Sequence, residues 1–342
     1  MRSNLSDFKV LDVKTSQRRE VIDYGVKMVG GPLEWAETKG AGIKVGVIDT
    51  GVALNHPDLK TRVKDYVNFT SSERKNVLDD NGHGTHVAGI VAAERNNLGV
   101  VGVAPEADLY IAKAFDKEGY AEFDAIAKSI QWMMERDVDV INMSFSAQTA
   151  DQGYQQIISQ AYNQGITLVC AAGNRGDGES ADANTIGYPA KFDQTIAVTA
   201  VDMNKRRADF SSVGTEAEIA AAGKDVYSCY LDSKYATLSG TSMATPIITG
   251  AVALLQAKGV ARYKRRLTPE EIRLLLHVYA EDLGTVGRDR KYGFGLFSFG
   301  RINKSDYVSR STPVNMSIAH RNAAVRRNIG MEMMIAAALL IL

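Results

Sequence analysis

The chain has 342 residues, 45% of them hydrophobic and 23% charged, the composition of a soluble protein long enough to bury a sizeable core. Lysine plus arginine and aspartate plus glutamate number 40 each, so the formal net charge is zero and nothing in the totals calls for a nucleic-acid partner. The two cysteines, Cys170 and Cys229, are too few for a disulfide framework, and Cys170 sits inside an apolar run that reads as a buried strand.

In chain order, residues 1–20 form a charged extension without the apolar centre of a secretory signal, which points to the cytoplasm. From residue 21 to about 305, strand-like and helix-like runs alternate. The reading is strand over Ile43 to Ile48, helix over His86 to Ala93, strand over Leu109 to Ala114, helix over Phe123 to Met134 and strand over Val138 to Met143. Helix follows over Tyr154 to Asn163, strand over Ile166 to Ala172 and again over Ile196 to Val201, and a long apolar helix over Thr245 to Ala257. This rhythm predicts a three-layer, doubly wound α/β domain: a mainly parallel sheet with helices on both faces and the site beyond the carboxyl ends of the strands. Residues 306–342 form a tail whose apolar end, Met331 to Leu342, is too short to span a bilayer. It reads as a helix packed on the domain or on a second copy, which would make a homodimer; the competing reading is a membrane-surface anchor.

Three residues stand where acyl transfer needs them. Asp49 ends an apolar strand and precedes Gly51, so its carboxylate emerges at the rim of the core. An aspartic-protease reading would need a second Asp-Thr-Gly, and there is none. His83 lies between glycines in Asn81-Gly82-His83-Gly84-Thr85-His86, open enough for proton transfer. His83 and His86 could share a metal, but no third ligand with zinc-site spacing accompanies them. Ser242, in Gly240-Thr241-Ser242-Met243-Ala244-Thr245-Pro246, precedes an apolar helix whose amino terminus favours negative charge; alone, it would read as a helix cap.

Together, Val47-Ile48-Asp49-Thr50-Gly51, His83-Gly84-Thr85-His86-Val87-Ala88-Gly89 and the Ser242 block resemble the three signatures of the subtilisin family, in its order. The likeness continues through Asn55-His56-Pro57-Asp58-Leu59, Gly102-Val103-Ala104-Pro105, Ala171-Ala172-Gly173-Asn174 and Tyr292-Gly293-Phe294-Gly295. It is strongest to the intracellular subtilisins. The resemblance implies a serine endopeptidase acting on unfolded or flexible polypeptide segments, with Asp49, His83 and Ser242 as triad and Asn174 in the oxyanion hole. It implies that Ser144-Phe145-Ser146 and Gly119-Tyr120-Ala121, with Phe123 beside them, flank the substrate as edge strands. Gly187 would leave the first specificity pocket roomy for large apolar side chains, and Arg175 would admit acidic ones. Ser146 and Ala147 depart from family glycines and bear on the width of the cleft. A structural Ca²⁺ is implied on Asp58 and Asn96, with the Glu94, Leu98 and Val100 loop adding carbonyls. The amino-terminal extension is similar in size to an inhibitory one, and Phe8 to Val13 is expected to cover the cleft. The rivals are a catalytically silent, peptide-binding member of the fold and an esterase.

Overall fold

The computed structural model describes residues 2–5, 9–14, 19–176, 180 and 183–301. Two short strands, β1 (Arg2–Asn4) and β2 (Lys9–Lys14), precede helices α1 (Tyr24–Met28) and α2 (Gly31–Glu34). The body then runs β3 (Lys44–Asp49), β4 (Val63–Asn68), α3 (His83–Ala92), β5 (Asp108–Lys113), β6 (Tyr120–Glu122), α4 (Phe123–Glu135), β7 (Val140–Met143) and α5 (Gln152–Asn163). It continues β8 (Thr167–Ala171), β9 (Thr195–Val201), β10 (Ala217–Ala222), β11 (Val226–Cys229), β12 (Tyr235–Ser239), α6 (Thr241–Tyr263), α7 (Pro269–Val278), β13 (Ala280–Glu281) and β14 (Leu296–Phe297).

The central sheet has nine strands in the order β13-β14-β10-β9-β8-β7-β3-β5-β4, parallel throughout except for the β13–β14 pair at one edge. The doubly wound expectation holds, and alternation along the strands explains it. Val45 and Val47 of β3, Val169 of β8 and Val198 of β9 face the core shared with α3 and α6. Ile48, Leu168, Cys170 and Ala197 face the opposite core, which contains Ile126, Ile130 and Met133 of α4 and Tyr154 and Ile158 of α5. Both faces are covered, so the strands are apolar on both sides. Gly46 allows α4 to pack closely, since a Cβ there would stand 2.6 Å from Met133 Sδ.

Helix α6 is 23 residues long and apolar all round because it is the buried central helix of the fold, with every residue from Thr241 to Gly259 buried. It begins four residues before the expected start at Thr245. A proline normally breaks a helix by removing one N–H and its bond. Here Pro246 sits in the second turn, and the Ser242 carbonyl it deprives accepts instead from Ser144 Oγ at 2.9 Å. The tail 306–342, with the packing and membrane-surface readings placed on it, lies outside the described residues.

Candidate active site

The parallel sheet brings its chemistry to the carboxyl ends of β3, β7 and β8 and to the amino ends of α3 and α6. Asp49 is the last residue of β3 and His83 the first of α3. Both side chains are fully buried, and Asp49 Oδ1 lies 2.7 Å from His83 Nδ1. The same oxygen accepts from Thr50 N at 2.8 Å, which fixes the carboxylate's rotation. Gly51 (φ 114°) turns the chain away, and Gly84 lets α3 approach so closely that a Cβ on it would stand 2.3 Å from the Gly51 carbonyl.

Ser242 stands in the first turn of α6, where backbone N–H groups have no intrahelical partner and the helix dipole favours an anion. Its hydroxyl donates to the Ser144 carbonyl at 2.9 Å. Ser144 is itself held by Asn142, whose amide donates to Ser144 Oγ at 2.9 Å and accepts from Thr249 Oγ1 at 2.9 Å. Asn174 follows β8, and its Oδ1 accepts from both Thr241 N and Thr241 Oγ1 at 2.8 Å. That double anchor turns Nδ2 toward Gly240, where an added Cβ would lie only 3.1 Å from it.

Asp79 gave no signal in the sequence. Its buried carboxylate accepts from Thr50 Oγ1 (2.9 Å), Asn81 N (3.1 Å), Gly82 N (2.8 Å), Thr85 N (2.9 Å) and Thr85 Oγ1 (2.6 Å). It ties the strand end carrying Asp49 to the helix start carrying His83. His86 points elsewhere: Nε2 faces the Val226 and Ala236 carbonyls at 3.1 and 3.0 Å, and burial pushes its imidazole down to about 3, so it remains neutral. A metal shared by the two histidines is not what the fold builds.

Of the expected substrate residues, Tyr120 and Ala121 lie on β6 with Gly119 just before it, Tyr120 half exposed and Ala121 buried. Phe145 is fully buried against Phe115 at 4.9 Å, so it offers the cleft only main chain. Phe123 opens α4 and rests on Tyr154 at 5.0 Å. Arg175 is exposed, its N–H bonded to Ser212 Oγ at 3.2 Å. Gly187 N donates to the Ala172 carbonyl at 3.1 Å, while Ala147 and Tyr188 exchange two 2.8 Å main-chain bonds, which joins segments 144–147, 172–174 and 187–188 beside Ser242.

The described part of the extension lies as two strands on different partners. Phe8 lies outside the described residues, and Lys9–Val13 does not lie on the expected substrate edge: β2 pairs antiparallel with β12, Lys9 opposite Ser239 and Val10 opposite Leu238. The segment on that edge is β1, antiparallel to β6 with Ser3 opposite Ala121 and Asn4 opposite Tyr120. Leu5 N donates to the Gly119 carbonyl at 2.9 Å, and its side chain is 7% exposed within the core beneath the edge. The extension pattern is polar at Arg2–Asn4, so only the partner strand makes it β.

Away from this centre, Asp58 is fully buried and has no ion pair among the described residues. It accepts from Asn96 Nδ2 (3.0 Å), Val100 N (2.9 Å) and Tyr235 Oη (3.0 Å). The Glu94, Leu98 and Val100 carbonyls take no main-chain bond among the described residues, and a Cβ on Gly99 would stand 2.0 Å from Asp58 Oδ2. The Glu94 carboxylate turns to Thr61 and Arg62, which leaves its carbonyl for the loop. An uncompensated buried carboxylate, oxygen-rich surroundings and a glycine-lined approach fit a hard cation. His56 and Cys229 come within 4.8 Å of Asp58, but both His56 nitrogens are engaged, by Lys234 O and Asp58 N, and burial holds the Cys229 thiol protonated.

Residues 40–295 match the subtilase family model. The chain is 44% identical over 280 residues to subtilisin DY of Bacillus licheniformis, covering 82% of this chain and 97% of that protein. It is 41% identical over 263 residues to an intracellular serine protease of Paenibacillus polymyxa (76% and 80% covered). It is also 42% identical over 265 residues to a thermostable alkaline protease of Halalkalibacterium halodurans (78% and 68% covered).

Proposed function

The chain belongs to the subtilase family, and from that premise we infer that it is a serine endopeptidase whose Asp49, His83 and Ser242 form the working triad. The observation that carries the residue roles is the fully buried 2.7 Å contact between Asp49 and His83, which fixes the imidazole with Nδ1 toward the carboxylate and leaves Nε2 for proton transfer. Ser242 Oγ turns from the Ser144 carbonyl, attacks the scissile carbonyl and passes its proton to His83 Nε2. The developing oxyanion is met by the Ser242 N–H and Asn174 Nδ2, the latter pre-aimed by its two bonds to Thr241. His83 then protonates the leaving amine, and water repeats the sequence to release the acid. Substrates are polypeptides that can lie extended along β6.

Three finer readings belong to the same proposal. The first is that the extension is a built-in inhibitor: β1 takes the β6 edge that an extended substrate needs, and β2 takes β12, the strand leading into Ser242. The second is that Ca²⁺ would be held by Asp58, Asn96 and the Glu94, Leu98 and Val100 carbonyls, where it would supply fixed positive charge to a loop. The third is a cytoplasmic location, supported by the likeness to the intracellular serine protease.

The test is casein hydrolysis by the purified chain beside Ser242→Ala, with a serine-directed sulfonyl fluoride as control. Activity abolished by both is expected; casein cleavage that survives Ser242→Ala would refute the assignment.

A further inference from the structure

We propose that Ser146 sets the specificity of this enzyme by filling the slot for the side chain on the acyl side of the scissile bond, so that it cleaves after small residues and disfavours large apolar ones. The proposal rests on the peptidase reading and replaces the roomy pocket expected from Gly187.

Two main-chain segments touch the Thr241–Ser242 turn. The Ser144 carbonyl accepts from Ser242 Oγ, and Asn174 accepts from Thr241. A carbonyl under attack by Ser242 and within reach of Asn174 carries its own side chain between these segments, 144–147 on one side and 172–174 on the other. Their far ends are joined through Gly187 and Tyr188, which makes Gly187 the floor of the slot. Glycine at 173 and 187 keeps the facing wall and the floor free of side chains. Ser146 is the exception. A Cβ built on Gly187 would stand 2.0 Å from Ser146 Oγ, and one on Gly173 would stand 3.2 Å from the same oxygen. The hydroxymethyl group therefore rests on the floor and reaches toward the opposite wall, crossing the space where a ring would insert. A single methylene in such a slot discriminates by about 10- to 200-fold, and here the obstruction is a hydroxymethyl group on a residue only 8% exposed, packed against the Gly187 floor.

The test compares kcat/KM of the full chain and of Ser146→Gly, Ser146→Ala and Ser146→Val on peptides that differ only in Ala, Leu or Phe before the cleaved bond. Closure of the extension scales every peptide equally, so ratios between peptides report the slot alone. The wild type should prefer Ala to Phe by about tenfold or more, Ser146→Gly should raise the Phe/Ala ratio at least tenfold, Ser146→Ala should fall between, and Ser146→Val should lower it. A wild type that cleaves Phe as fast as Ala, or a ratio unmoved in both Ser146→Gly and Ser146→Ala, overturns the proposal. Labelling of Ser242 by a fluorophosphonate in the chain beginning at Glu20, whose edge is uncovered, separates the two failures: a labelled chain that cleaves no peptide overturns the slot assignment, and an unlabelled, inert one overturns the peptidase reading and this proposal with it.

Discussion

Replacing Leu5 with alanine loosens the extension at a buried apolar side chain while leaving the β1–β6 backbone pairing available. Leu5 is 7% exposed and packs beneath Gly119. Removing three buried carbons at about 0.8 kcal/mol each weakens closure by about 2.4 kcal/mol, about 50-fold in the equilibrium between covered and open cleft. If the extension competes with substrate for one strand edge, as proposed, the loss appears in KM and not in kcat. The assay is initial hydrolysis of a fluorogenic peptide over a wide concentration range, with intact mass confirmed at the end of each run. Apparent KM should fall toward that of a chain beginning at Glu20, which keeps the Glu20 contacts to Arg95 and Asn97. Identical KM and kcat for the full chain, Leu5→Ala and the shortened chain would refute the inhibitory role.

Asn174→Ala should lower kcat by about 10²–10³ with KM little changed, since the amide serves the charge that appears only during attack; an equal loss in KM would instead mark a substrate-positioning residue. Chelation by EGTA should lower the melting temperature of the wild type, and Asp58→Asn should melt lower and ignore chelator; calorimetry with added Ca²⁺ checks both. Burial raises the Asp23 carboxyl to about 6 from 3.8, so its contribution to stability is greatest below 3.8 and declines as pH rises through about 6. At 1.36 kcal/mol per pH unit over that interval the loss is about 3 kcal/mol. The melting temperature of Asp23→Asn relative to wild type should therefore be more favourable at pH 7 than at pH 4.5, and a difference independent of pH would contradict it.

The strands of the sheet interior were legible because Ile43 to Ile48 or Ile196 to Val201 are apolar on both faces, which only a covered parallel strand requires. Strand β10 is not legible in the sequence because Ala217–Ala222 is mostly alanine, with little intrinsic preference for strand, and is made β by pairing with β9 and β14. The start of α6 was hidden by Pro246, whose cost is met by a hydroxyl 98 residues away in Ser144. Motifs around Asp49, His83, Ser242 and Asn174 were readable since their chemistry is local. Asp79 was not, because what it does consists of bonds to Thr50, Gly82 and Thr85 that exist only after folding. Ser146 was visible as a departure from glycine, but its direction toward Gly187 was not.

If the extension inhibits as proposed, the pairing of β1 with β6 and β2 with β12 has a consequence for how the enzyme behaves in time. A blocker tethered to its own target acts at a local concentration that dilution cannot reduce, so the covered fraction is the same at any abundance of the protein. One cut in the extension converts that fixed concentration into the free concentration of a released peptide, lower by orders of magnitude in a dilute solution. Opening would then be one-way: each molecule would carry a single use of its brake, and activity, once begun, would end only with the destruction of the molecule or the arrival of a separate inhibitor.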